Sequence, residues 1–262
     1  AEGDKLTMRL EGQSHPTGYD RYMDRTILSL PHYPPHYPHL TAARRELESW
    51  LFFYFEPRER MRAAGPVKEV RHIGLMGEEL AAHLNTLRAF KPRQFEDIEK
   101  AMRLLLPDVD GINVEVSDLG EVELFVRENN VPIPARVLSE GTLRMLGILA
   151  LTGADEPPSL VGFEEPENGV HPGRIELIAE FLRTQMFVGT TQYIVTTHSP
   201  ILPDLLPGSS LYAARKMDRE THIDAFATWG PIGQRKDNDR AIEGLESILP
   251  VSERIRRGDF NG

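Results

Sequence analysis

The chain has 262 residues, 40% hydrophobic and 27% charged, enough for one large domain or two small ones around a proper core. No apolar run approaches the roughly 20 residues that cross a bilayer, Ala1-Glu2-Gly3-Asp4-Lys5 lacks the basic start and apolar stretch of a signal peptide, and the absence of cysteine removes disulfides and thiolate metal sites. A net charge of −10, from 30 Lys+Arg against 40 Asp+Glu, argues against a whole-surface nucleic-acid footprint, and a cytoplasmic protein without a membrane span is expected.

Residues 1–38 show no clear period. Within them and just beyond, Pro31-His32-Tyr33-Pro34-Pro35-His36-Tyr37-Pro38-His39 is the one compositionally biased segment, and its prolines forbid a helix. It reads as a proline-stiffened surface loop or as a metal site from His32, His36 and His39; no carboxylate sits among those histidines. Leu40, Ala43, Leu47, Trp50, Leu51 and Tyr54 fall near a 3.6-residue period and predict a helix over 40–55, with Thr41 in its N-cap region and Pro57 ending it. Arg58, Arg60 and Arg62, like Arg254, Arg256 and Arg257 later, read as solvated surface or as a local nucleic-acid contact.

A second helix is predicted over Gly77 to Ala89 and a third over Pro92 to Leu106. The third opens with Pro92 in its first turn and with Glu96 and Asp97 near the positive end of its dipole. Alternating apolar residues at 112–116 and 122–126, about a turn containing Gly120, predict a β-hairpin. From 136 onward helix and buried strand alternate, as in an α/β layer with a parallel sheet. No internal repeat is present.

Three short motifs carry chemistry. Ser139 precedes the largely apolar run Thr142–Leu151 and is its natural N-cap, with Gly141 allowing close approach to the first turn. That turn either caps a core helix and nothing more or offers its free N–H groups to an anion, phosphate above all. Ser159-Leu160-Val161-Gly162-Phe163 predicts a strand buried on both faces, followed directly by Glu164 and Glu165. Ligands bind beyond the carboxyl ends of such strands. Of two adjacent acids pointing to different sides there, one can hold Mg²⁺ and the other orient or deprotonate water; an acidic surface turn is the plainer reading. Tyr193-Ile194-Val195-Thr196-Thr197-His198 predicts another strand, and beside the first it would bring the His198 imidazole to the same crevice to donate to a phosphate oxygen.

In this order the motifs resemble those of RecF/SMC-like ABC-type ATPases, in particular the AAA-family ATPases related to the OLD-family ATPase domain. Leu138-Ser139-Glu140-Gly141-Thr142 resembles the ABC signature, and Phe163-Glu164-Glu165-Pro166-Glu167-Asn168-Gly169-Val170-His171-Pro172 resembles Walker B running into a D-loop. Thr197-His198-Ser199-Pro200 resembles the H-loop, and Gly258-Asp259-Phe260 the usual end of such proteins. The resemblance is strong over 132–200 and weak before Gly74.

It implies an α/β fold: an ABC-type P-loop NTPase head, a largely parallel sheet flanked by helices, with a helical insertion and a β-hairpin. Its parts would be 1–38, the irregular remainder of an N-terminal lobe; 39–107, the helical insertion; 108–135, the hairpin; and 136–262, the ATPase core. ATP and Mg²⁺ would be the cofactors. Glu164 would be the Mg²⁺-associated acid, in place of the more common Asp; Glu165 would activate the hydrolytic water, and His198 would contact the γ-phosphate. Ser139 and Gly141 would contact ATP on a second head, and Asn168, Gly169 and His171 would lie in the loop crossing that homodimer interface. A nuclease or DNA would be separate effectors, in DNA maintenance or antiviral defence.

One part of the pattern is missing. No Gly-Lys followed by Ser or Thr occurs, and Gly12 and Gly18 have the wrong spacing and are followed by Tyr19. No glutamine is placed as the Q-loop residue, Gln13 being a weak match. The fold is therefore expected to lack its N-terminal P-loop unit, which would precede this chain in a longer protein. The competing expectations are a pseudo-ATPase half that completes another head, and a metal-dependent hydrolase using Glu164, Glu165, His171 and His198.

Overall fold

A computed structural model describes residues 5–9, 15–20, 26–30, 37–152, 157–225 and 250–256. Gln13, His32, His36, Arg257 and Gly258–Phe260, each singled out above, lie outside the described residues. Strands β1 (Lys5–Met8) and β2 (Thr17–Asp20) form an antiparallel pair. Helix α1 (Pro38–Glu48) follows, opened by Pro38 at its first turn rather than by Thr41.

The helix expected over 40–55 is corrected here. It ends at Glu48, and Trp50–Phe53 is a strand, β3. The bulky run Trp50-Leu51-Phe52-Phe53 fits a pleated surface better than a helix, and the apolar positions at helical spacing bury nothing in α1. Pairing in parallel with Leu160–Phe163 decides the matter. Part of the 39–107 segment therefore contributes a strand to the sheet that carries the motifs.

Strand β4 (Gly65–Pro66) leads to α2 (Leu80–Phe90) and α3 (Pro92–Leu105). The chain enters α2 through Gly77 at φ +83°, where only glycine is at ease, so the helix starts later than Gly77. The hairpin is present as β5 (Val109–Val116) and β6 (Glu121–Glu128), with Gly120 at φ +74° in its turn. Strand β7 (Val131–Pro134) pairs antiparallel with β6. Its two prolines hide it from a sequence reading, and proline is tolerated in a strand only where the ladder does not need its N–H.

Helix α4 (Glu140–Ala150) comes next, then β8 (Leu160–Glu164), α5 (Ile175–Val188) and β9 (Gln192–Thr196). An antiparallel hairpin, β10 (Tyr212–Met217) and β11 (Glu220–Ala225), turns on Asp218 and Arg219, both with positive φ, the pattern of a tight two-residue turn. Helix α6 (Val251–Arg256) ends the described residues.

Two sheets organise the molecule. One is parallel, in the order β3-β8-β9; the other is antiparallel, in the order β4-β6-β5 with β7 also on β6. Leu51, Phe53, Val161, Phe163, Tyr193 and Val195 share one face of the parallel sheet, since side chains alternate along each strand. There Phe53, Phe55 and Phe163 form an aromatic cluster with centroids 5.5–5.9 Å apart, and Tyr193 stacks on Phe163 at 6.4 Å. Helix α4 is buried from Gly141 to Ala150 and packs on α2, α3, Phe55 and Met61. A helix buried on every side follows from a run that is apolar but for Thr142 and Arg144.

His83, on α2, is buried and ties two elements together: Nδ1 faces the Val70 carbonyl at 3.0 Å and Nε2 the Ala150 carbonyl, at the end of α4, at 3.2 Å. Burial pushes its pKa below the ordinary 6.5, and nearby His72 and Lys91 act in the same direction, while the two carbonyls oppose them. A base held neutral in the folded state stabilises the fold above its unfolded pKa and costs stability as pH falls below it. Stability therefore declines on acidification below about pH 6.5, by up to about 1.4 kcal/mol per pH unit from this group; urea midpoints across pH 5–7, wild type against His83→Gln, check it, the variant lacking that slope. Phe163→Ala opens the aromatic cluster and lowers stability by about 3–5 kcal/mol in the same measurement.

Candidate functional site

The expected cap of α4 is formed. Ser139 has extended backbone angles, and its Oγ accepts the Thr142 N–H at 3.1 Å. Ser139 is exposed, whereas Gly141 is buried: a Cβ there would stand 3.2 Å from the Gly169 carbonyl oxygen and 3.4 Å from Val170 Cα. Within this chain, Gly141 is what lets the 165–170 loop lie against the first turn of α4. Arg58 pairs with Glu140 at 2.7 Å on the surface, and Arg62 donates to the Leu138 carbonyl at 2.7 Å. Arg62 is thus a structural tie to the α4 entry, and Arg58 a screened surface pair.

β8 and β9 are neighbours and parallel, with Glu164 opposite Thr196. Their carboxyl ends therefore emerge side by side. Glu164, the last residue of β8, is exposed, with no hydrogen-bond or ion-pair partner for its carboxylate among the described residues. Glu165 turns the other way, half-buried, at φ +45°. A non-glycine residue in that region is strained by about 1–3 kcal/mol and persists only where its surroundings hold it. They do: the Glu165 N–H donates to the Thr196 carbonyl and the Asn168 N–H to the Glu165 carbonyl, both at 3.0 Å.

The Glu165 carboxylate reaches two of the expected residues. Oε1 stands 3.4 Å from His198 Nε2, and Oε2 lies 3.5 Å from Asn168 Nδ2. His198 is 92% exposed, so its other edge is open to a ligand. The structure thus brings Glu165, His198 and Asn168 together, with Glu164 at the same strand end. His171 is engaged elsewhere, where its Nδ1 accepts the Gly173 N–H at 3.1 Å and caps the turn before α5. Among the described residues no group of three or more His, Asp or Glu is disposed to hold a metal ion, so the four-residue hydrolase set is not assembled into one. Gly169, at φ +74°, needs its freedom, and Asn168 and Gly169 are both exposed.

Two residues here, Glu167 and Arg144, escape a reading of the sequence. Glu167 is buried and accepts a hydrogen bond from the Thr197 hydroxyl, which in turn accepts the Ser199 N–H at 3.0 Å. Arg144 is buried on α4; burial pushes its guanidinium below the ordinary value against the field of Glu140, Tyr54, Glu165 and Glu167. A signal exists for Arg144: it is the one charged residue in the run Thr142–Leu151.

The family described as "AAA domain, putative AbiEii toxin, Type IV TA system" matches residues 22–204, more than two thirds of the chain. No curated protein sequence matches. Among solved structures, an Smc head domain with coiled coil and joint from Pyrococcus yayanosii is similar at 11% identity and TM-score 0.44, over 54% of this chain and 28% of that one. An SMC ATPase described for ATP-driven dimerisation and DNA-stimulated activation gives 12% identity and TM-score 0.44, over 63% and 96%. The SMC head domain from Thermotoga maritima gives 17% and 0.38, over 55% and 51%. The chain spans less than two thirds of the first and third of these. No helix among the described residues is long and apolar enough to cross a membrane. By the extent of its family match, the chain belongs to this AAA domain family, and its α/β fold carries a parallel sheet that gathers the motif-bearing strand ends.

Proposed function

We propose that this chain forms the hydrolytic side of an ATPase head that closes on a second head around nucleotide. The observation that carries the reading is the 3.4 Å approach of Glu165 to His198 from the ends of adjacent parallel strands. An acid held in strained backbone beside an open imidazole, next to a free carboxylate, suits water activation at a phosphate better than it suits a surface turn.

The residues present fit Mg²⁺ and the terminal phosphate. Glu164 offers an exposed hard oxygen ligand, and Mg²⁺ takes one or two carboxylates while phosphate and water complete its shell. ATP with Mg²⁺ supplies the phosphoryl group and the charge at which the site is aimed. Glu165 orients a water and takes its proton; His198 donates to a phosphate oxygen through its open edge. Ser139, Asn168, Gly169 and His171 are exposed and belong, in this reading, to the surface that meets the second head. Gly141 serves that surface from beneath, by seating the loop.

No Gly-Lys pair occurs among the 262 residues, so the phosphate cradle is supplied by another segment or another chain. That observation also favours a second reading, a pseudo-ATPase half that completes a neighbouring head. The family description names a toxin of a toxin–antitoxin system, which supports a defence setting; DNA or a nuclease as effector and a cytoplasmic location belong to the same reading.

In the protein that carries this chain together with a Gly-Lys-Ser or Gly-Lys-Thr loop, Glu165→Gln lowers ATP turnover about 100-fold or more, keeps nucleotide binding and accumulates dimer. Turnover at the parental rate, read by phosphate release, sinks the catalytic assignment, and dimer formation without any turnover in the parent selects the pseudo-ATPase. Ser139→Arg abolishes nucleotide-dependent association in sedimentation while costing only about 1 kcal/mol of stability through the lost cap; an unchanged dimer limits Ser139 to a structural cap.

A further inference from the structure

The parallel strand ends account for Glu164, Glu165 and His198, but two buried charges beside them have no part in that account. Arg144 is 5% exposed and Glu167 7%. Nε and Nη1 of Arg144 are buried without a hydrogen-bond partner, and so is Oε2 of Glu167. Each is costly by itself, because a buried charge with unmet hydrogen bonds loses its hydration without replacement. One is a fork of donors and the other an acceptor, and Glu167 lies in the field Arg144 feels, together with Glu140, Tyr54 and Glu165. Gly169, two residues past Glu167, brings the loop to Arg144: a Cβ there would lie 4.0 Å from Arg144 Nε and 3.2 Å from Glu140 Oε2.

We propose that Arg144 is a positioning residue of the site and acts through Glu167. Its buried Nε–H reaches Glu167 Oε2 across one water and ties α4 to the loop that follows β8. The other oxygen of Glu167 accepts from the Thr197 hydroxyl, one residue before His198. The Glu167 backbone carbonyl accepts the Val170 N–H at 2.9 Å, closing the turn that begins at Glu165. Arg144 thereby sets the separation of Glu165 and His198 while touching neither a substrate nor the reacting atoms. Displacement of α4 at its Ser139 end is felt at both catalytic groups through this one link.

The functional consequence rests on the reading of Glu165 and His198 given above; the link itself does not, and it is tested without nucleotide. Amide hydrogen exchange is measured on the full chain for Arg144→Met, Arg144→Lys, Glu167→Gln and the double variant Arg144→Met/Glu167→Gln. Arg144→Met speeds exchange at Asn168, Val170 and Ser199 about tenfold or more, the size expected for losing one charge-assisted bond, and leaves β5 and β6 unchanged. Arg144→Lys, which keeps the charge, stays within about threefold of the wild type at those amides. Glu167→Gln gives the same local acceleration, and the double variant is no faster than either single change. Equal acceleration in β5 and β6 overturns the proposal in favour of general core stability. So does multiplicative acceleration in the double variant, which means the two residues act separately. Should Arg144→Met not fold, Glu167→Gln alone and combined with Arg144→Lys give the same comparison. The expected local, non-additive acceleration alongside parental turnover in Glu165→Gln discards the catalytic reading alone; local coupling absent while Glu165→Gln is inactive discards the link alone.

Discussion

Everything at the candidate site depends on one pairing, the parallel register of β8 against β9 that sets Glu164 opposite Thr196. In parallel strands the carboxyl ends leave the sheet together, and the residues just past them share a crevice. The register delivers Glu165 to the Thr196 carbonyl, and two residues beyond Thr196 it delivers His198. A slip of β9 by one residue would turn Tyr193 and Val195 away from the face that carries Phe163 and move His198 from Glu165. The same hydrophobic pattern that buries the sheet thus fixes the geometry of its polar rim.

That rim is strained, and the strain has identifiable supports. Glu165 sits at positive φ without being glycine, and its neighbours hold it by backbone hydrogen bonds on both sides. Burial of α4 supplies the counterweight, because Gly141 and the Gly169–Val170 backbone meet at contact distance. The stability of an apolar helix is what keeps a polar loop in an unfavoured conformation. Loosening the core at Phe163 or at the α2–α4 tie through His83 and relaxing the loop are therefore not independent changes.

Legibility in the sequence follows how local each determinant is. The Ser139 cap, the hairpin turn at Gly120 and the apolar run ending in Glu164-Glu165 are set by neighbours within a few residues, and they stand as read. Trp50–Phe53 reads wrongly as helix because Leu47, Trp50, Leu51 and Tyr54 satisfy a helical period as well as a strand pattern, and only pairing with β8, over a hundred residues away, separates them. Pro132 and Pro134 hide β7, and the turn of β10 and β11 is hidden by Asp218 and Arg219 taking conformations usually left to Asn and Gly. Glu167 looks in the sequence like one more acid in an acidic turn. Its burial depends on Thr197 and on α4, neither of which a local reading sees.

Two outliers of charge and one of the backbone outliers, Glu165, converge on the same short loop. Glu165 is strained, Glu167 is buried with an unmet oxygen, and Arg144 feels the field of both from the only basic position on α4. A loop selected for stability alone would replace Arg144 and Glu167 with apolar residues of similar volume, which is often neutral or favourable. Keeping a costly cation and a costly acid in each other's field makes sense where their distance is meant to respond to something. The element able to move that distance is α4, because its Ser139 end is exposed while its buried length grips the core. The interior of α4 then belongs to the mechanism as much as its exposed tip does.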